Sequence, residues 1–175
     1  MNKIIRNLAL TVVFTLLSPM AARADDLTAD SQQAIADFVK ADPSLQTFLD
    51  SSAGYAVFPN VGKGGFVVGG ARGSGVVYEK NKPIGTAKMT QASIGAQVGG
   101  QTFAEIIFFE SSHALEDFKS GKFEMSAEAS AVAAAEGASK TANYKNGVAV
   151  FTLAKKGLMV QASVGGQKFK YEPMK

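Results

Sequence analysis

Seven glycines fall within the fifteen residues Val61 to Gly75, VGKGGFVVGGARGSG. No stable helix can run through such a stretch, because each interior glycine costs roughly 1 kcal/mol against alanine. Phe66-Val67-Val68 is a β-forming run, so the stretch reads as strand, with glycines at bends, bulges and close backbone contacts. The competing reading is a phosphate cradle, and it fails on residue identity. A Walker loop needs Ser or Thr after Gly-Lys, and Gly62-Lys63 is followed by Gly64. A dinucleotide fingerprint needs G-x-G-x-x-G before a helix. The sixth position is Val67 counting from Gly62 and Tyr78 counting from Gly73.

The surrounding pattern extends the sheet. Asp30 is a candidate helix cap with Gln33 as its capping-box partner, and Ala34, Ile35, Phe38 and Val39 share a helical face. Asp42-Pro43 ends that helix and starts another, striped by Leu45, Phe48 and Leu49. The polar faces of both are acidic, which suits covering a sheet better than lying on a membrane. Strands are expected at Tyr55 to Phe58 (stopped by Pro59-Asn60), Phe66 to Ala71, Gly75 to Tyr78, residues 84 to 99, Phe103 to Phe109, Gly147 to Leu153 and Leu158 to Phe169. Turns are expected at Glu79 to Pro83 and at Lys155-Lys156-Gly157. Ser111 to Lys119 reads as a helix ended by Gly121. Phe123 to Ala135 is rich in alanine, yet its polar residues Glu124, Ser126, Glu128 and Ser130 alternate with apolar ones. That period of two predicts a strand. Gln91 to Gln97 (QASIGAQ) is echoed at Gln161 to Gln167 (QASVGGQ), which suggests two strands with similar packing demands. The chain is therefore expected to be one α+β domain dominated by antiparallel sheet, with short N-terminal helices and one mid-chain helix. Whether the sheet closes into a barrel stays open.

Residues 1 to 24 read as an export signal: Lys3 and Arg6, an apolar run from Leu8 to Leu17, then Ala22-Arg23-Ala24 as the cleavage pattern. The expected domain is then 25 to 175. The full chain carries eighteen basic and fifteen acidic residues. The signal removes Lys3, Arg6 and Arg23 and no acid, so the mature charge is zero, and a nucleic-acid partner is not expected. Cysteine is absent. That excludes disulfides, thiolate metal sites, a cysteine nucleophile and a lipoprotein anchor. The expectation is an exported, periplasmic protein, soluble or peripherally attached to membrane.

Catalytic constellations are missing from the sequence. There is no G-x-S-x-G elbow, and the one histidine, His113, has no partner histidine or cysteine and reads as a surface residue. Glu105 and Glu110 have opposite strand parity. No enzyme activity, metal or cofactor is expected. The basic residues Lys63, Arg72, Lys80, Lys82, Lys155 and Lys156 sit in the glycine-rich stretch and in the expected turns. Such lysines first read as solubility and edge protection. They also suit anionic headgroups, each adding roughly 1 kcal/mol near an anionic surface.

Several blocks in register resemble the SYLF domain: Gly54 to Phe66 (GYAVFPNVGKGGF), Gly69 to Val77 (GGARGSGVV), Ala92 to Gln101 (ASIGAQVGGQ) and Lys156 to Val160 (KGLMV). The resemblance spans about residues 34 to 170 and implies a lipid-binding domain. It makes the six basic residues candidate headgroup contacts, with an envelope protein as the alternative partner. Actin, which the resemblance also brings in from eukaryotic relatives, is not expected in a bacterial periplasm.

Overall fold

A computed structural model of the chain describes residues 19–64, 68–94, 101–126, 131–156 and 164–174. It begins with helix α1 (Pro19–Ala41), a 3-10 turn (Pro43–Leu45) and helix α2 (Gln46–Ser51). Strands β1 (Gly54–Gly64), β2 (Val68–Glu79), β3 (Lys82–Ile94) and β4 (Gln101–Phe109) follow, then helix α3 (Ser112–Lys119). The short strand β5 (Val132–Ala133), a second 3-10 turn (Ala138–Thr141), β6 (Val148–Lys156) and β7 (Gln167–Pro173) complete it. The seven strands form one sheet in the order β5-β6-β4-β1-β2-β3-β7. Every pairing is antiparallel except β5 with β6.

The sheet is sandwiched, so both of its faces carry apolar side chains. On one face Tyr55, Val57, Val76, Tyr78, Ile106, Phe108 and Phe151 lie under α1 and α2. The helix contributes Ser31, Ala34 and Phe38, all buried, with Leu27 and Ile35 partly so, a stripe at helical spacing. On the other face Phe58, Phe103, Ile107, Phe109 and Phe169 pack with Leu115 and Phe118 of α3. Here the sheet curls upon itself. Phe58 of β1 and Phe169 of β7 have ring centroids 5.8 Å apart, although three strand spacings, about 14 Å in a flat sheet, separate those strands. Gln167 of β7 likewise reaches across the curl, its Nε2 donating to Glu105 Oε2 of β4 at 2.9 Å. The curl does not close: among the described residues no ladder joins β7 to β5 or β6, so the sheet is not a barrel.

Several local expectations are corrected. Pro59-Asn60 does not stop the first strand. β1 continues to Gly64 through a bulge, where the register slips between Val57 and Asn60 against β2 and between Phe58 and Val61 against β4. A proline has no N–H for the ladder, and a bulge is where a strand can hold one. The glycine-rich stretch is a hairpin rather than one strand: Val61 to Gly64 ends β1, and Val68 to Gly75 belongs to β2, which merges two expected strands. Residues 65–67 lie outside the described residues, as do 95–100, 127–130 and 157–163. Asp30 sits inside α1 rather than capping it, because Ala21-Ala22-Arg23-Ala24 offers no helix breaker before it. Lys155 and Lys156 end a strand instead of forming a turn.

The segment after α3 is mostly not strand. Of Phe123 to Ala135, the described part holds one bridge, Glu124 with Lys168, and β5. Burial alternates over Glu124, Met125 and Ser126, with Met125 buried, but not over Ala131 to Ala135, where Ala133 and Ala135 are exposed; residues 127–130 lie outside the described residues. The other helix and turn expectations hold. Asp42 caps the first 3-10 turn through Ser44 N–H at 3.1 Å. Ser111 caps α3, and Gly121 leaves it with φ +73°. The turn after β2 places Lys80 and Asn81 at φ 50° and 62°, the paired positive values of a two-residue hairpin.

Candidate functional site

Pleating sends alternate residues of β2, β3 and β7 to opposite faces. Ala71, Ala87, Met89, Gln91, Gln167 and Phe169 go inward and are buried. The opposite parity turns to the face that α1 and α2 cover over Val76 and Tyr78 and leave exposed at Arg72, Ser74, Lys88 and Thr90, and the register aligns it into rows. Arg72 lies opposite Thr90, and Thr90 opposite Lys168. In the next row Ser74 lies opposite Lys88, and Lys88 opposite Lys170. In the third Val76, Thr86 and Glu172 line up. Four cations therefore share one patch of sheet: Arg72, Lys88, Lys168 and Lys170, all exposed.

Two carboxylates touch this patch. Glu172 Oε1 lies 3.6 Å from Lys88 Nζ and 3.4 Å from Lys170 Nζ, and Glu124 Oε1 lies 3.1 Å from Lys168 Nζ. Arg72 takes part in no ion pair among the described residues. Four positive charges against two negative ones leave the patch net positive. Lys88 and Lys170 are directly cross-strand, a like-charge facing that Glu172, within reach of both, offsets. Beside the patch is a depression of about 530 Å³, lined by Arg72, Lys88, Ser74, Thr90 and Asn60 with Leu27 and Pro59. It offers cationic and hydroxyl donors next to an apolar wall, the chemistry of an amphiphile's headgroup boundary.

The six basic residues singled out in the sequence do not form one cluster. Arg72 belongs to the patch, at its β2 margin. Lys155, at the end of β6, reaches its margin by donating from Nζ to Asn60 Oδ1 at 3.3 Å. Lys63 and Lys156 are placed by backbone register alone, opposite Ala71 and Thr102 respectively, and so fall toward the same end of the sheet. Lys80 and Lys82 sit at the other end of β2. Eight residues separate Lys80 from Arg72, about 26 Å of strand. Lys88, Lys168 and Lys170 escaped the sequence reading because each stands alone between uncharged neighbours. The signal for them was parity: in Lys168-Phe169-Lys170 and in Ala87-Lys88-Met89 the charge alternates with a buried apolar residue.

Two other sequence-level residues resolve differently. His113 is exposed on α3, 3.5 Å from Asp117. Glu105, expected only to face away from Glu110, is fully buried inside the curl with Gln167 on its carboxylate. Its parity matched Phe103 and Ile107, so its inward direction was readable. A buried partner four strands away was not.

Comparison with known proteins now adds to this geometry. Residues 90–173 match the family model Ysc84, described as Las17-binding protein actin regulator. Beta cell expansion factor A from Aeromonas veronii is 31% identical over 128 residues. That alignment covers 73% of this chain and 49% of the relative, so the chain spans about half of that protein's length.

Proposed function

We propose that the chain is a SYLF (Ysc84) domain, a reading supported by the match over residues 90–173, and that it is an exported, non-enzymatic lipid-binding domain that rests peripherally on an envelope membrane of the bacterial periplasm and contacts anionic headgroups. The family is linked to lipid and to actin binding. The observation that carries the lipid reading here is the exposed array of Arg72, Lys88, Lys168 and Lys170 on neighbouring strands. Glu172 reaches both Lys88 and Lys170, and the surplus of cations over carboxylates is what an anionic surface would meet. Leu27 and Pro59 beside Arg72 supply an apolar rim. Among the described residues no helix is long and apolar enough to cross a membrane, and the proposed attachment needs none.

Flotation with phosphatidylcholine vesicles, with and without phosphatidylglycerol, tests this reading. Binding is expected with the anionic lipid only, falling as salt is raised. The double variant Lys88→Gln/Lys170→Gln should weaken it by about fivefold per charge removed. The same variant should leave the melting temperature nearly unchanged, since it removes a like-charge facing together with two exposed ion pairs to Glu172, which contribute little. Lys80→Gln/Lys82→Gln, at the far end of the sheet, should bind as the parent does. Equal affinity for both vesicle types, or equal loss in both variants, would sink the assignment. Failure on vesicles with capture of an acidic envelope protein would move the same patch to the alternative, a protein-interaction module.

A further inference from the structure

A second cleft, of about 580 Å³, opens where α2, the second 3-10 turn and the residue following β4 meet. Phe48 and Tyr144 line it, with ring centroids 5.4 Å apart. Glu110 and Lys140 stand on its walls, both exposed. Among the described residues neither is ion-paired, to the other or to a third group. The Tyr144 hydroxyl is buried beside Ser51 and makes no hydrogen bond of ordinary geometry. Ser51 itself donates to the Thr47 carbonyl at 2.6 Å. Burial first, then the Glu110 charge, raises the Tyr144 phenol above its ordinary value. Glu110 thus lies within electrostatic reach of Tyr144.

Opposite charges that share a cleft without pairing are complementary to a ligand bearing both signs. The aromatic surface of Phe48 and Tyr144 in the same cleft favours a ligand with an apolar portion. We propose that this cleft binds a small zwitterion of the amino-acid class, its ammonium on Glu110, its carboxylate on Lys140, and its side chain against the rings of Phe48 and Tyr144. This function is separate from the cationic patch and does not depend on lipid binding.

Calorimetric titration of the whole protein with leucine and phenylalanine, beside N-acetyl-leucine, leucine methyl ester and glucose, tests it. The free amino acids should bind saturably, and each blocked form about tenfold or more weaker, the scale of one lost charged hydrogen bond. Glu110→Gln should weaken leucine while erasing its advantage over N-acetyl-leucine. Lys140→Met should erase the advantage over the methyl ester. Both sites are exposed, and unchanged circular dichroism of the variants separates binding from folding. Lys88→Gln/Lys170→Gln should leave the titration untouched whatever vesicles show. Absence of saturation at millimolar ligand, equal binding of the blocked forms, or binding of glucose instead would each overturn the proposal.

Discussion

At the scale of single residues, Asp42 does more than cap a turn. Its carboxylate accepts from Ser44 N–H, from Gly137 N–H at 3.2 Å and from Ser139 N–H at 2.7 Å, so it ties the first 3-10 turn to the second. Burial by itself would raise the Asp42 carboxyl, but the hydrogen bonds from Ser44 and Ser139 outweigh it and hold the group down to about 2. The folded value lies below the unfolded one. Its contribution is therefore complete above about pH 5 and is lost as pH falls through 4 toward 2, amounting to about 2 kcal/mol. Asp42→Asn should remove that part of the acid dependence, read as a shallower fall of urea stability between pH 5 and 2. An unchanged slope would show that the carboxylate is not what joins the two turns. The role of Asp42 as a cap was legible in Asp42-Pro43-Ser44, because a cap is a local matter. Its partners at Gly137 and Ser139 were not, since nothing in a local pattern marks a group nearly a hundred positions away.

At the scale of elements, glycine does different work at different places in β1 and β2. A side chain at Gly75 would lie 2.7 Å from Phe58 Cδ1 and closer still to the Val57 carbonyl, whereas one at Gly62 would meet nothing within 4 Å. Gly75→Ala should therefore destabilise by roughly 1 to 3 kcal/mol through overpacking. Gly62→Ala should be neutral or slightly stabilising, having open space and a stiffer unfolded chain. Urea midpoints of the two variants check the contrast, and equal effects would contradict it. That the stretch must be extended was readable from its glycines and valines. Where it reverses was not, because glycine serves turn and strand equally well. The same limit explains Pro59: proline argued for a stop, and only a partner strand on each side shows that a bulge can absorb it.

At the scale of the whole molecule, the curl of the sheet is held by β7. Phe169 packs on Phe58, Phe118 and Phe123, with centroids 5.8, 5.0 and 5.9 Å away. Phe169→Ala should cost about 3 to 5 kcal/mol and lower hydrogen-exchange protection first in the β3–β7 ladder. Uniform loss of protection would mean that β7 does not unfold ahead of the rest. The curl also makes the cationic face, since turning Phe169 inward turns Lys168 and Lys170 outward. The α+β class, the helix stripes and most of the strands follow from the chain itself, because they rest on neighbours within a few residues. Which cations stand together follows from register between strands up to about a hundred residues apart. Backbone pairing alone brings Arg72, Lys88 and Lys170 side by side and leaves Lys80 and Lys82 at the other end.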